Sequence, residues 1–317
     1  MNKDLRVIKS YIKSRFFITS KILKKVKNKN KSYNKENIVP IAISTNRGFL
    51  YQTMVMISSL ENAKCTIRLY ILNITLTDND IEILRMISPD NVDIIEVKIS
   101  GSAINSLKIS DKWPVEAWSR IVIPDLIDED YVLYLDVDCI IVGDLYEIIN
   151  TYRENIISGV KSTYYYLKGK SEIMPNAVNS GVLLMNNIKL KEMDFSRKVI
   201  EYALKNENEI QMPDQDSINY ICRSIMKNIS PKYNAMNYFF ANTYKSISKM
   251  TSNGYYTKNE FEEALYNPAI IHYNGGPFSR PWQKGILRHP YEKIYRYYEK
   301  KNKKYKGVYM CVKFLLS

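Results

Sequence analysis

The run Val132-Leu-Tyr-Leu-Asp136-Val-Asp138-Cys139-Ile-Ile-Val142 constrains the chain more than any other segment. Its opening residues are apolar and short enough for a buried strand, and they stop on two carboxylates two positions apart. In extended backbone, residues i and i+2 project to the same side, so Asp136 and Asp138 are aimed at one point. An isolated Asp-x-Asp is ordinarily a solvated turn. Between two apolar runs, however, buried acids are costly unless a cation compensates them. A pair of carboxylates at a strand end suits a hard divalent cation, Mn²⁺ or Mg²⁺, that prefers oxygen ligands.

The surrounding sequence alternates in a way that supplies such strands. The patterns predict strands over 38–44, 66–74, 92–99, 131–135, 181–185 and 269–272. They predict helices over 52–62, 79–87 (capped by Asp78, stopped before Pro89), 115–127 (interrupted by Pro124), 195–205 and 216–227. Strand–helix alternation implies a mostly parallel sheet with helices on both faces. Such sheets bind ligands at the carboxyl ends of their strands, near a switch point.

Charge divides the chain into three. The whole sequence of 317 residues carries a net charge of +13. Residues 1–37 hold twelve Lys/Arg against two acids, and residues 288–317 hold nine against two, so 38–287 is mildly acidic. The expected organisation is a basic N-terminal helix and linker (1–37), a body (38–287) and a basic, tyrosine-rich C-terminal tail (288–317). Leu5, Ile8, Ile12 and Phe16 recur at helical spacing in the first part. With 45% hydrophobic residues, disorder of the whole chain is excluded. The four cysteines are scattered without a C-x-x-C pair, which argues against a zinc site or disulfide framework and fits a reducing compartment. There is no run of 18 apolar residues, and the apolar run Phe16 to Ile18 is too short for a signal-peptide core. The expected location is cytoplasmic, peripheral on the inner face of the cell membrane. Basic and aromatic residues together favour an anionic membrane surface, each base adding roughly 1 kcal/mol near it. Nucleic acid is the less favoured partner, because no known binding motif accompanies the charge.

Three further segments carry chemistry. His272, one of two histidines, ends the apolar run before Tyr273-Asn-Gly275-Gly276-Pro-Phe-Ser-Arg280. Taken alone it is as readily a core histidine as a ligand. Followed by glycines that allow close backbone approach and by an arginine fork, it describes a grip on a diphosphate. Asn179 stands just ahead of the strand over 181–185. Asp214-Gln215-Asp216 sits at a helix start, where simple capping is the plain alternative.

These pieces, YLDVDCIIVGDL, NSGVLLMNN, DQDSIN and HYNGGPFSRPW, occur in the order and comparable spacing of the family-eight glycosyltransferases, which the chain resembles over about 38–287. The resemblance implies a GT-A fold, a Rossmann-like mixed and mostly parallel sheet flanked by helices in a single catalytic domain with basic tails. It also implies a UDP-hexose donor, Mn²⁺ as cofactor with Mg²⁺ as the alternative, and retention of anomeric configuration. Position by position, Asp136, Asp138 and His272 match the metal ligands, with Asp136 also counted among the donor-binding residues. Gly275 and Arg280 match the diphosphate contacts, where the family more often has Lys in place of Arg280. Arg120, Asn179 and Asp214 match donor-sugar contacts, and Gln215 the residue beneath the reacting carbon. Ala42, Ser44 and Asn46 correspond to the nucleotide-binding strand end, where the family usually has an acid facing the uracil.

The implied activity is transfer of glucose or galactose to a cell-surface polysaccharide or lipopolysaccharide-type glycan or glycolipid acceptor. Gln215 is a poor nucleophile, which favours attack by the acceptor hydroxyl from the leaving-group face. Paired carboxylates would also serve a metal-dependent nucleotidyl- or phosphotransferase, although no P-loop pattern is present. A non-catalytic membrane- or nucleic-acid-binding module on an inactive scaffold is the third class.

Overall fold

β1 (Asn34–Thr45) is the strand around which the molecule is organised: from Val39 to Thr45 it is buried on both faces. The computed structural model describes residues 18–28, 32–99, 115–167, 174–251, 255–285 and 287–302. β1 pairs in parallel with β2 (Cys65–Asn73) and β4 (Tyr131–Leu135), and β2 pairs in parallel with β3 (Val92–Lys98). Beyond β4 the direction reverses. β7 (Val178–Asn186) runs antiparallel to both β4 and β6 (Ile157–Lys161), and β8 (Met226–Asn228) closes the edge parallel to β6. The seven-stranded order is β3-β2-β1-β4-β7-β6-β8.

The chain leaves this sheet directly after β4. β5 (Cys139–Ile141) joins a second, three-stranded sheet, where it pairs antiparallel with β10 (Ile270–His272), which in turn pairs parallel with β9 (Ala235–Met236). Asp136-Val-Asp138 is the junction between the two sheets. The final apolar strand therefore belongs to the small sheet, not to the large one.

Several predicted boundaries move for identifiable reasons. The segment 115–127 is broken into Val115–Trp118, a 3₁₀ turn Ser119–Val122, and Ile123–Leu126 with Pro124 in its first turn, where a missing N–H is tolerated. Thr77, not Asp78, caps the helix Asp78–Ile87, in a reciprocal capping box with Asp80. The helix predicted over 216–227 begins at Pro213 and ends at Ile221. Its second half is not helical: residues 222–225 form a turn, and 226 and 227 belong to β8.

The basic ends are drawn into the core where they are described. In the helical stretch 18–27, Ile18, Ile22 and Val26 are buried, and in the helix Glu292–Asn302 so are Ile294, Tyr295 and Tyr298. All six belong to the main hydrophobic cluster. Thr19 donates to the Pro290 carbonyl at 2.8 Å, and Ser58 of the helix Leu50–Ser59 donates to Asn302 at 2.7 Å. The amphipathic pattern Leu5 to Phe16 lies outside the described residues, as does Cys311. Because Ile22 is a core side chain, Ile22→Ala is expected to cost about 2–5 kcal/mol of unfolding free energy in a denaturant titration. A change under about 0.5 kcal/mol, usual for a solvated surface site, would show that this helix is not part of the folding unit. No helix among the described residues is long and apolar enough to cross a membrane.

Candidate active site

The reversal of β7 assembles the site. Because β7 is antiparallel to β4, with Leu135 opposite Val182, the start of β7 lies beside the carboxyl end of β4. The Asp136 N–H donates to the Gly181 carbonyl at 2.8 Å, which continues the ladder one residue past the strand. The small sheet delivers His272 in the same way, since it pairs with Cys139, immediately after Asp138. A cleft of about 650 Å³ opens at this junction. Asp136, Asp138, Asn179, Asp214, Gln215 and His272 line it, together with Arg120, Gly275 and Arg280. Ser44 and Asn46 line its far end. Ala42 does not reach it: two residues back along β1, it is buried in the core.

No side chain fits between the two arms. A Cβ on Gly181 would lie 2.4 Å from His272 Cε1 and 2.5 Å from an Asp136 carboxylate oxygen. His272 Nε2 is 2.9 Å from Asp138 Oδ1 and 3.8 Å from Asp136 Oδ2. Asp138 Oδ1 is buried and, among the described residues, has no well-aligned hydrogen-bond donor. One imidazole nitrogen and two carboxylates thus converge on one point. This donor set fits a hard divalent cation. Cys139 Sγ also lies within 4.8 Å of the Asp138 and His272 ligand atoms. Burial, reinforced by Asp138 and Asp136, pushes its thiol well up, so it stays protonated and is a poor ligand.

Burial opposes ionisation of both Asp138 and His272, yet each holds the other charged. The Asp138 carboxyl is lowered from 3.8, with Arg280 adding to His272, and the His272 imidazole is raised from 6.5. The Asp138 contribution to stability is present above 3.8 and lost as pH falls through its lowered pKa. The His272 contribution is present below 6.5 and lost as pH rises through its raised pKa. A cation at Nε2 must displace that proton. Mn²⁺ affinity is therefore expected to rise with pH through the raised His272 titration, with one proton released per ion in calorimetry across buffers of different ionisation heat. Affinity independent of pH, with no proton released, would exclude the imidazole as a ligand.

Arg120 is the buried hub of the donor side. Its guanidinium is 2.9 Å from Asp136 Oδ1 and 3.2 Å from Asp214 Oδ2, and it donates to the Ser180 carbonyl at 2.7 Å. It also lies 4.4 Å from the ring centroid of Tyr134, whose hydroxyl donates to Asp136 at 2.9 Å. Asp214 has its pKa raised by burial, with Arg120 pulling the other way. The helix Pro213–Ile221 is held to β7 by Asn219, which bonds both backbone groups of Val178 at 2.7 and 2.8 Å. Asp216 is structural, though not the N-cap that the plain alternative supposed: from the helix's first turn it accepts from the Gln211 and Met212 N–H groups ahead of the helix and from Tyr165. Asp214 and Gln215 face the cleft instead.

On the opposite wall, Arg280 donates to the Tyr273 carbonyl at 3.2 Å and places its terminal nitrogen 3.7 Å from Asp138. Gly275 has open space around it, and a Cβ on Gly276 would meet Asn237 at 3.2 Å. Asn237 clamps this loop through the backbone and side chain of Asn274. At the far end, Ser44 Oγ is buried without a hydrogen-bond partner among the described residues, and Asn46 accepts from the Phe49 N–H at 3.1 Å. Sequence reasoning missed Ser180, Asn234 and Asn237. Ser180 lies in β7, Asn234 ends a 3₁₀ turn and Asn237 opens a short helix, all ordinary places for small polar residues, and only the folded contacts single them out.

The two-sheet α/β scaffold is that of the GT-A glycosyltransferases, and its cleft opens on Asp-x-Asp, an opposing histidine and a glycine–arginine loop. The chain belongs to glycosyl transferase family 8, whose sequence profile matches residues 40–285. It is similar to General stress protein A of Bacillus subtilis, 25% identical over 191 residues, covering 57% of this chain and 64% of that protein. It is also similar to Glycosyltransferase GlyE of Streptococcus pneumoniae, at 27% over 191 residues, covering 59% of this chain and 45% of that protein. The chain therefore spans less than two thirds of either relative. The lipopolysaccharide 1,2-glucosyltransferase of Escherichia coli is 23% identical over 279 residues, covering 83% of this chain and 78% of that protein. Among solved structures, the galactosyltransferase LgtC with donor and acceptor sugar analogues has the same fold, with a TM-score of 0.67. It is 18% identical, and the match covers 83% of this chain and 96% of that one.

Proposed function

We propose that this chain is a retaining, metal-dependent hexosyltransferase that moves glucose or galactose from a UDP-sugar to a glycan or glycolipid acceptor of the cell surface. The convergence of Asp136, Asp138 and His272 on one point between the two sheets carries this reading. A Mn²⁺ or Mg²⁺ ion held by these three supplies Lewis-acid neutralisation of the leaving diphosphate. Arg280 faces the same charge from the Gly275–Gly276 loop, a preorganised cation at a site of developing negative charge. Ser44 Oγ is the polar group left for the base, and a hydroxyl accepts from an imide N–H as well as donating.

The residues also speak for the route. Gln215 is an amide, and the Asp214 carboxylate, although it faces the cleft, is paired with Arg120, so neither offers a free nucleophile for a covalent sugar intermediate. The acceptor hydroxyl attacks the anomeric carbon on the face from which the diphosphate leaves, and a diphosphate oxygen takes its proton.

The exposed lysines Lys21, Lys24 and Lys27 on one terminal helix, and Lys293, Lys300 and Lys301 on the other, support docking on an anionic membrane surface. Sedimentation with phosphatidylserine vesicles at physiological salt, absent with phosphatidylcholine, is the expected result there.

The test of the reaction is turnover against a panel of UDP-hexoses with Mn²⁺ and cell-envelope extract. The expected outcome is UDP release with an α-linked product from an α-linked donor. UMP release would indicate a nucleotidyl- or phosphotransferase, and a β-linked product would overturn retention.

A further inference from the structure

Along the wall of the cleft, four side chains form a continuous, largely buried hydrogen-bonded chain that joins the donor-sugar side to the metal side. Gln215 Oε1 accepts from the Ser180 backbone N–H at 3.2 Å and from Asn179 Nδ2 at 3.0 Å. Asn179 Oδ1 accepts from the Gly181 backbone N–H at 3.2 Å and from Asn234 Nδ2 at 2.9 Å. Asn234 Oδ1 lies 2.9 Å from His272 Nδ1. The two backbone N–H groups remove the usual amide ambiguity, because each can only donate. Gln215 and Asn179 must present oxygens to β7, so Asn179 must donate to Gln215 and Asn234 must donate to Asn179. Only the oxygen of Asn234 remains for His272. His272 Nδ1 therefore carries a proton, and in the charged imidazole the second proton, on Nε2 toward Asp138 and Asp136, is the one a cation displaces.

We propose that Asn234 is a positioning residue that fixes the His272 tautomer for metal binding and couples it to the Asn179–Gln215 pair beneath the donor hexose. Asn234 is fully buried at the end of the 3₁₀ turn Pro231–Asn234, and β9 holds it there by pairing with β10 beside His272. Its two ends do different work. The oxygen acts on the metal side, where a hydrogen bond on the far ring nitrogen orients a ligating histidine and raises its basicity. The amide nitrogen acts on the sugar side. A ligand on one side thereby favours the arrangement that serves the other.

The inference rests on the metal reading above, and the two can fail separately. Asn234→Ala is expected to weaken Mn²⁺ binding, followed by electron paramagnetic resonance of the free ion, by about 10–100-fold. Asn234→Asp still accepts from His272 Nδ1–H but cannot donate to Asn179. It is expected to keep Mn²⁺ affinity within about threefold of the parent. The same variant should lose the increment by which UDP-glucose or UDP-galactose binds more tightly than UDP. A merely structural role would make the aspartate at least as damaging as the alanine on both readouts.

The chain has two histidines, so ¹⁵N spectra of histidine-labelled protein are simple to assign. His289 Nδ1 accepts from the Tyr291 N–H at 3.0 Å and is the opposite tautomer, an internal control. At a pH above the imidazole titration, the Nδ1–H pattern of His272 should be present in the parent and in Asn234→Asp and lost in Asn234→Ala, with His289 unchanged in all three. Retention of that pattern and of full Mn²⁺ affinity in Asn234→Ala overturns the proposal. A parent that shows the Nδ1–H pattern but binds no Mn²⁺ overturns the metal reading and leaves the positioning role of Asn234 supported.

Discussion

Asp138→Asn is expected to lower kcat/KM by at least about 10³-fold while leaving the fold intact. The substitution keeps the shape of the side chain and removes the charge that both His272 and a divalent cation require. A metal contributes several kcal/mol to a transition state that develops charge on a leaving diphosphate, and about 4 kcal/mol corresponds to three orders of magnitude. Far-ultraviolet circular dichroism and thermal unfolding serve as the check that structure persists. A loss smaller than about tenfold in a folded variant would mean that Asp138 does not hold the group that stabilises the leaving charge.

Arg120→Leu is expected to destabilise the protein by about 3–5 kcal/mol, because one guanidinium compensates two carboxylates in a buried wall. Leucine fills much of the volume but leaves Asp136 and Asp214 facing each other without a cation. The sign with pH follows from Asp214. Its pKa is already raised by burial despite Arg120, and losing Arg120 raises it further. A carboxyl whose folded pKa exceeds the unfolded 3.8 imposes no penalty below that value and an increasing one above it. The difference between parent and variant should be largest at neutral pH and shrink as pH falls toward 4. A difference below 1 kcal/mol, or one that does not vary with pH, would contradict the hub role of Arg120.

Much of the cleft was legible in the chain because its key residues end apolar strands. Asp136, Asp138 and His272 are written directly after runs that have to be buried, and burying acids there demands compensation. The pairing of the two ends of the cleft was not legible. Hydrophobic pattern marks a strand without its direction, and it is the reversal of β7 that carries Asn179 to the carboxyl end of β4. The small sheet escaped because β5 and β9 are three and two residues long, below any periodicity, and the predicted strand 269–272, which is β10, had no visible partner. That also hid Asn234 and Asn237, which read as ordinary turn asparagines. The terminal helices are a different case. Ile18, Ile22 and Val26 recur every fourth residue, and Tyr291, Ile294, Tyr295 and Tyr298 follow the same stripe. The signal is present in the chain, but the density of lysine around it points to an anionic membrane surface rather than to a core.

The account turns on a divalent cation that joins the Asp136–Asp138–His272 point to a nucleotide diphosphate. Calorimetric titration of UDP into the protein, with and without Mn²⁺, measures that junction without reference to the acceptor. UDP is expected to bind at least about 10²-fold more tightly with Mn²⁺, with the gain absent in Asp138→Asn. UDP affinity that is the same with and without Mn²⁺ would contradict the account.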